Sequence, residues 1–224
     1  MLFPLIGNSQ PPGFSFCKTI TINSSQVIGS ADYSNFPVYF NVSGVDIATK
    51  ANGGHMSFDD GNDIIFTLTD GTVLDHEIET YDPTGDLHVW VKIPILSTSV
   101  ATDLLMCYGN CNGGNEGDVW VSPNYQTVQH MSDDPSTGSP DSTPNGNNGI
   151  SNGGMSIANL DNGQMAGAFS FDEVNDVVVI PDFDYTNNNG FSMSFWFKVP
   201  ENSGTGYQYI VSHGNWSTFE SQIR

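Results

Sequence analysis

The sequence predicts an all-β protein of the antiparallel β-sandwich type. Two observations support this class: apolar residues recur at every second position in many short segments, and turn-forming residues separate those segments. Alternation with a period of two places one face of each strand against a core and the other toward solvent. Only residues 45–51 suggest a helical turn or two.

The predicted strands follow one another along the first half of the chain. Asp70-Gly71 is a tight-turn dipeptide, and we expect it to join residues 64–68 and 74–78 into a hairpin. Pro94 ends one strand and Gly109-Asn110 ends the next. The residues on the inward alternation are Ile20 and Ile22; Val38, Phe40 and Val42; Ile64, Phe66 and Leu68; Leu74, His76 and Ile78; Leu87, Val89, Val91 and Ile93; and Leu104, Met106 and Tyr108.

The second half of the chain changes in composition before strand patterns resume. Residues 110–164 are rich in Gly, Asn, Ser, Asp and Pro, a composition typical of a flexible linker. Strand patterns return at residues 169–171, 177–180 and 193–199. The last segment has large aromatic residues on both alternations, which predicts a strand covered on both faces.

The charge of the chain excludes several classes of partner. Its 224 residues include 25 Asp plus Glu and only 5 Lys plus Arg, giving a formal net charge of −20. Nucleic-acid-binding proteins neutralise phosphates with Lys and Arg, so nucleic acid is not expected as a partner. An anionic membrane surface is disfavoured for the same reason. No apolar run is long enough for a membrane-spanning helix, so direct membrane insertion is not expected.

Several segments between Lys18 and Asn110 occur in the order found in one family of bacterial and archaeal surface proteins. They are Lys18–Ile22, Asn35–Val38, Asp63–Phe66, Thr69–Thr72, His76–Glu79, Val89–Pro94 and Tyr108–Asn110. This part of the chain, residues 17–112, resembles the family known as domain of unknown function 2341. The resemblance implies a β-sandwich and carries no activity with it.

A second set of segments lies within residues 120–224: His130, Asp141–Thr143, Asn148-Gly149, Gly163–Asp172, Asn175-Asp176 and Phe191–Trp196. These segments resemble the jelly rolls of the concanavalin A-like, laminin-G type. Such jelly rolls follow the first family in secreted bacterial proteins of the Bacteroidetes kind. Glu173 stands where the family usually has Gly. The resemblance implies that residues 132–164 are an ordered edge and loop, and that the second jelly-roll-like domain is incomplete.

These observations divide the chain into three parts. Residues 1–10 form a short apolar segment followed by small and polar residues, which resembles the end of a secretory signal peptide; the alternative is an N-terminal strand or arm. Residues 11–116 form the first domain, and residues 117–224 form the N-terminal part of the second. We therefore expect a secreted, extracellular protein associated with a cell surface.

Two acidic turns are candidate Ca²⁺ sites, because Ca²⁺ takes six to eight oxygen ligands. The first contains Asp59, Asp60, Asn62 and Asp63 around a glycine, and a plain Asp/Asn turn is the alternative. In the second domain the laminin-G resemblance implies Asp172, Asn175 and Asp176 as possible ligands. The five histidines show no zinc-binding spacing.

Asp75, Glu77 and Glu79 lie at alternate positions and project from one face of a strand. This arrangement resembles the carboxylate ladder of jelly-roll glycoside hydrolases, in which two acids about 5 to 5.5 Å apart act as nucleophile and general acid. The pattern of that family is not present, so a solvent-facing hairpin edge is preferred and no catalytic residue is assigned.

The three cysteines are too few for a fold built on disulfides. Cys107 and Cys111 could close a small loop if their Cα atoms come within about 7 Å. Pairing of Cys17 with Cys107 is the rival arrangement, and three reduced, buried cysteines are the third.

The leading functional hypothesis is a pair of non-catalytic extracellular binding or adhesion modules within a larger secreted or cell-surface protein. The expected partner is a glycan or a surface protein, with Ca²⁺ as the possible cofactor. Candidate sugar-stacking platforms are Trp120, Trp196, Trp216 and Tyr207. The alternatives are an accessory part of a polysaccharide-degrading glycoside hydrolase and a structural stalk or filament subunit.

Overall fold

The computed structural model describes residues 10–110, 112, 114, 116–120, 125–182, 191–199, 210–215 and 218–223, the backbone alone from 213 onward. The predicted signal-peptide remnant, residues 1–10, lies almost wholly outside this part of the chain. The described residues form β-strands and short 3-10 turns with no α-helix, which confirms the all-β prediction. None of them lies in a helix long and apolar enough to cross a membrane.

The chain divides into two compact units. The first unit is Met1–Val128 together with Ser142–Gly146, and the second is Gln129–Asp141 together with Asn147–Arg224. The boundary predicted from sequence lay at residues 116 and 117, before Val119 and Trp120. Both residues are buried in the structure and lie within the first unit.

The first unit is a sandwich of two antiparallel sheets. Its four-stranded sheet has the order β1-β7-β3-β4, and its three-stranded sheet has the order β2-β6-β5. Short 3-10 turns occur at Ser24–Gln26, Val45–Ile47 and Lys50–Asn52, the last two within the region predicted to contain a helical turn. The strands are β1 Phe16–Ile22, β2 Tyr33–Ser43, β3 Ile64–Leu68, β4 Val73–Leu74, β5 His76–Asp82, β6 Asp86–Leu96 and β7 Thr102–Tyr108.

The core of the first unit is formed by inward side chains of both sheets. Phe66 and Met106 come from the four-stranded sheet, and Val89 and Val91 come from β6; all four are fully buried. Ile20, Val38, Phe40 and Ile78 pack against this cluster while remaining partly exposed. The period-two stripes therefore point inward as predicted, because alternate residues of a strand share one face.

The predicted hairpin is correct only for its first part. β3 pairs with β4 through Phe66 opposite Leu74, and Asp70 accepts a hydrogen bond from the Thr72 amide in the turn. The chain then leaves this sheet, and β5 pairs with β6 in the other one. The prediction that residues 74–78 continue the hairpin is wrong beyond Leu74. The alternation runs unbroken through Asp75, so the pattern carries no sign that the chain changes sheets.

A disulfide joins Cys17 to Cys107. The two residues lie directly opposite each other on β1 and β7. The pairing of Cys107 with Cys111 is therefore wrong, and Cys111 lies outside the described residues. Strand pairing brings Cys17 and Cys107 together across a sequence separation of 90 residues, which the spacing of the cysteines could not reveal. Closing a loop of this length stabilises the fold by about 4 to 5 kcal/mol in the chain-entropy model.

The described part of the second unit contains three two-stranded antiparallel ladders, β8-β11, β9-β10 and β12-β13. Residues 129–164 contain β8, β9 and two 3-10 turns, so this region is not the flexible linker that its composition suggested. The strands are β8 Ile150–Asn152, β9 Leu160–Asn162, β10 Gly167–Phe169, β11 Val177–Val179, β12 Val211–Asn215 and β13 Thr218–Ile223, with 3-10 turns at Pro135–Thr137 and Ile157–Asn159.

The strand predicted at residues 193–199 is not found. These residues form no strand, and their side chains are exposed, including Trp196 at 71%. Alternation of residue types predicts an extended backbone, whereas a strand also needs a hydrogen-bonded neighbour that the pattern does not supply. The prediction that both faces of this segment are covered is therefore wrong.

Candidate functional site

The outer face of the three-stranded sheet carries a group of polar and aromatic side chains from all three of its strands. β6 turns Leu87, Val89 and Val91 into the core, so His88 and Trp90 project outward. The register then places equivalent positions of β2 and β5 beside them. We use the term outer sheet face for Tyr39, Asn41, Glu77, Glu79, His88 and Trp90.

Trp90 lies at the centre of this face. Tyr39 on β2 is its partner on one side, and Glu77 on β5 is its partner on the other. The register of β5 shifts between Ile78 and Thr80, so Glu79 lies at an irregularity in the strand. The indole Nε1 of Trp90 donates a 2.7 Å hydrogen bond to Oε2 of Glu79. The irregular strand therefore presents two neighbouring glutamates to the outer face.

Glu77 binds side chains from two distant parts of the chain. Its Oε2 accepts a hydrogen bond from the indole of Trp120, and its Oε1 accepts one of 2.6 Å from the Ser142 hydroxyl. Along the open edge of β5, Glu116 accepts from the Ile78 amide and the Gly117 amide donates to the His76 carbonyl. These contacts hold the segment after β7 against the edge of the sheet.

Four aromatic rings form a continuous row across the outer sheet face. Ring centroids are 5.2 Å apart for Tyr39 and Trp90, 5.1 Å for Trp90 and Trp120, and 5.4 Å for Trp120 and Tyr125. The tilted and edge-on geometries are those that aromatic pairs prefer. Trp120 is only 5% exposed, whereas Tyr39 and Trp90 are half-buried. Tyr125 is half-buried as well, so partly exposed rings lie on both sides of Trp120, and the Tyr39–Trp90 pair is the one that lies on the outer sheet face.

His88 organises the polar rim beside Tyr39. The Tyr39 hydroxyl shares a hydrogen bond with Nδ1 of His88. The Asn41 amide nitrogen lies 3.0 Å from Nε2 of the same ring, and a carboxylate oxygen of Asp86 lies 3.3 Å from it. A hydroxyl, an amide, an imidazole and a carboxylate thus adjoin the half-buried rings.

The carboxylate ladder predicted from sequence has a different arrangement in the structure. Asp75 precedes β5 and is paired with Lys92, which also donates a 2.6 Å hydrogen bond to the Asp118 carbonyl. Glu77 and Glu79 accept from different indoles. Each carboxylate of the ladder therefore has its own partner from another segment.

The first predicted Ca²⁺ turn uses its carboxylates for backbone contacts. Asp60 accepts a hydrogen bond from the Asn62 amide, and Asp63 accepts one of 2.6 Å from the Ser57 amide. Asp63 is fully buried, and this burial raises the pKa of its carboxyl above the ordinary value. Asp59 remains near the surface. The loop therefore turns the Asp63 carboxylate inward, whereas Asp59 stays at the surface.

The second predicted Ca²⁺ turn is likewise closed by backbone hydrogen bonds. Asp172 accepts from the amides of Val174, Asn175 and Asp176, which lower the pKa of its carboxyl. Asp176 accepts from the Asp172 amide and the Asn159 side chain. Across the part of the chain that is described, no group of three or more His, Cys, Asp or Glu is placed to hold a metal ion. Ca²⁺ binding stays a prediction.

Sequence reasoning identified only part of this site. Trp120 was among the predicted stacking residues, but it is buried behind Trp90 rather than open as a platform. Trp196 is exposed in the second unit, and Trp216 and Tyr207 lie outside the described residues. Tyr39 and Trp90 were missed. The sequence feature that could have identified them is an aromatic residue at an outward-facing position of each of two predicted strands.

Similarity to known proteins falls mainly on the first unit and also covers residues 129–141 of the second unit. Residues 60–145 match a family model described as Domain of unknown function (DUF2341). The match overlaps the resemblance predicted for residues 17–112 but begins later and extends further. It includes β3 to β7, Trp120 and Ser142. The DUF2341 match thus spans both glutamates of the outer sheet face and the segments that bind them. No curated protein and no solved structure matches the chain.

Proposed function

We propose that this protein is a non-catalytic binding module that holds a saccharide on the outer sheet face. The observation that carries the proposal is the Tyr39–Trp90 aromatic pair, half-buried and bordered by the polar side chains of Asn41, Glu79 and His88. Ligand sites combine apolar surface with a few polar groups that fix orientation. A sugar ring offers C–H groups to an aromatic face and hydroxyls to amide and carboxylate groups at its edge.

A binding role is favoured over hydrolysis by the partners of the ladder carboxylates. A glycosidase needs one carboxylate as general acid and another as nucleophile or base, both directed at the scissile bond. Here Glu77 is bound by Trp120 and Ser142, and Asp75 is paired with Lys92. These contacts make Glu77 and Asp75 parts of the scaffold beneath the aromatic row.

The proposal includes an extracellular location within a larger secreted or cell-surface protein. The disulfide between Cys17 and Cys107 supports this location, since disulfides persist mainly in oxidising compartments. A concanavalin A-like, laminin-G-type fold for the second unit, with bound Ca²⁺, belongs to the same proposal. Its support is the sequence resemblance, together with the antiparallel pairing of the described strands.

The test is a glycan array probed with the full 224-residue chain, followed by titration calorimetry on any glycan that binds. We expect Tyr39→Ala to weaken binding about tenfold, which corresponds to about 1.4 kcal/mol. Tyr33→Ala is the matched control, because Tyr33 lies on the same strand but opposite Leu96 rather than Trp90. Equal loss of affinity in both variants would contradict the proposed site.

Two further measurements separate the rival functions. Release of reducing ends from a polysaccharide, abolished by Glu77→Gln, would replace binding with hydrolysis. Concentration-dependent assembly seen by light scattering, without binding to any glycan, would favour a stalk or filament subunit. A melting temperature measured with and without Ca²⁺ tests the cofactor independently of the saccharide.

A further inference from the structure

Resting on the proposed function, we propose that the outer sheet face selects saccharides that carry amino groups and rejects anionic ones. The proposal concerns the charge of the ligand, which the aromatic row alone does not determine. It follows from the carboxylates that surround the Tyr39–Trp90 pair and from the scarcity of Lys and Arg on the three strands of this sheet.

The rim of the site is anionic. Glu79 lies against the indole nitrogen of Trp90, and Asp86 lies beside His88. Glu77 lies opposite Trp90 in the adjacent strand. An amino sugar brings an ammonium group that can approach both a carboxylate and the negative face of an aromatic ring. A single ammonium group can thus interact with both a carboxylate and an aromatic ring of this surface.

Basic groups that would receive an anionic sugar are nearly absent from this surface. Lys92 is the one Lys or Arg in the sequences of β2, β5 and β6. It is already paired with Asp75 and donates to the Asp118 carbonyl. Elsewhere in the first unit, Lys18 is paired with Asp46 and Lys50 donates to Ser57. A carboxylated or sulfated sugar would therefore meet the carboxylates of Glu79 and Asp86, while the single Lys of these three strands is already paired with Asp75.

The net charge of the chain acts in the same direction at longer range. A charge of −20 repels a polyanion during approach and attracts a polycation, most strongly at low ionic strength. Such long-range attraction is not specific to one site. The distinguishing property of the proposed site is that the preference for the amino sugar depends on Glu79.

The experiment uses three oligosaccharides of equal length with the full chain at low ionic strength. They are a fully N-acetylated chito-oligosaccharide, its deacetylated cationic form and an oligogalacturonate. We expect the deacetylated form to bind about tenfold more tightly than the acetylated form and the oligogalacturonate not to bind. Binding of the oligogalacturonate as tight as that of the other two would overturn the inference while leaving the proposed function intact. Failure of all three, and of every glycan on the array, would overturn the proposed function itself.

Paired charge-removing variants test whether the preference is local. Glu79→Gln removes one negative charge and keeps an oxygen that accepts from Trp90. We expect it to reduce the tenfold preference to about twofold. Glu173→Gln removes the same charge from an exposed position in the second unit and should leave the preference at tenfold. Equal effects of the two variants would attribute the preference to net charge alone and overturn the site-specific inference.

Discussion

The two faces of the three-stranded sheet are stabilised by different kinds of interaction. The inner face is apolar and close-packed, with Leu87, Val89 and Val91 of β6 fully buried. The outer face carries aromatic rings whose polar atoms have side-chain partners: Glu79 accepts from the Trp90 indole, and His88 shares a hydrogen bond with the Tyr39 hydroxyl. Inner-face stability arises from removing apolar area from water, and outer-face stability arises from hydrogen bonds between specific partners.

This difference separates what a strand pattern can predict from what it cannot. The inner face needs apolar residues of suitable size, and many combinations fill it. The outer face needs particular partners, two of which, Trp120 and Ser142, come from beyond the last strand of the sandwich. The inner face can therefore be predicted from the alternation of apolar residues. The outer face cannot, because its partners depend on how the chain folds back after the last strand.

The largest expected effect comes from truncating the inner face. Leu87→Ala removes a fully buried side chain of β6 and should lower the free energy of unfolding by about 2 to 5 kcal/mol. His88→Ala alters the next residue, on the outer face, and should cost about 1 kcal/mol. Urea unfolding of both variants makes the comparison. Equal costs would mean that the inner face is not the main source of stability.

A buried titratable residue of the core, His76, makes the stability of the inner face depend on pH. His76 is 1% exposed and packs against the Phe66 ring, with centroids 5.2 Å apart. Burial is the dominant influence and lowers its pKa to about 4 from the ordinary 6.5. The unfolded chain therefore binds more protons than the folded chain between pH 6.5 and 4. Stability from this residue is complete above pH 6.5 and is lost as the pH falls toward 4, by about 3 kcal/mol.

His76→Leu isolates this contribution from the titration of carboxyl groups. The variant keeps an apolar side chain in the core and removes the titrating group. We expect the difference in unfolding free energy between wild type and variant to change by about 3 kcal/mol between pH 7 and pH 4. A constant difference over this range, measured by urea unfolding, would show that His76 is not held neutral by the core.

The extent of prediction from sequence follows the same division. The inward stripes, the sandwich and the turn at Asp70 were all readable, because each depends on neighbours in the sequence. The crossing at Asp75 and the Cys17–Cys107 bond were not, because the first leaves the alternation unbroken and the second depends on strand register. Similarly, the pairing of Tyr39 with Trp90 required knowing that β2 and β6 are adjacent.

Among the residues of the outer face, Glu77 is expected to contribute most to the free energy of unfolding. Glu77→Ala leaves the buried indole of Trp120 without this acceptor and should cost about 2 kcal/mol, since hydrogen bonds to charged groups are worth about 1.5 to 3 kcal/mol. Ser142→Ala removes only the hydroxyl and should cost about 1 kcal/mol. Urea unfolding followed by intrinsic fluorescence measures both.

The double variant, Glu77→Ala with Ser142→Ala, shows whether Glu77, Trp120 and Ser142 act as one unit. Once Glu77 is absent, the Ser142 hydroxyl has lost this acceptor, so Ser142→Ala should add almost nothing. We therefore expect a coupling energy of about 1 kcal/mol. Strict additivity would show that Ser142 is not held through Glu77. Glu77→Gln serves as the matched control, because it removes the charge and retains an oxygen acceptor.

The smallest effect is expected at a solvent-exposed ion pair beside the outer sheet face. Asp75 is paired with Lys92, but its side chain is 43% exposed. Solvent screens such a pair and ordering two side chains costs entropy, so exposed pairs contribute about 0 to 1 kcal/mol. Asp75→Asn should therefore change the unfolding free energy by about 0.5 kcal/mol or less, and added salt should remove the difference. A loss as large as that of Glu77→Ala, persisting in high salt, would place Asp75 with the bound carboxylates of the aromatic row. It would also mean that the polar stabilisation of the outer face begins before β5, at the residue where the chain changes sheets.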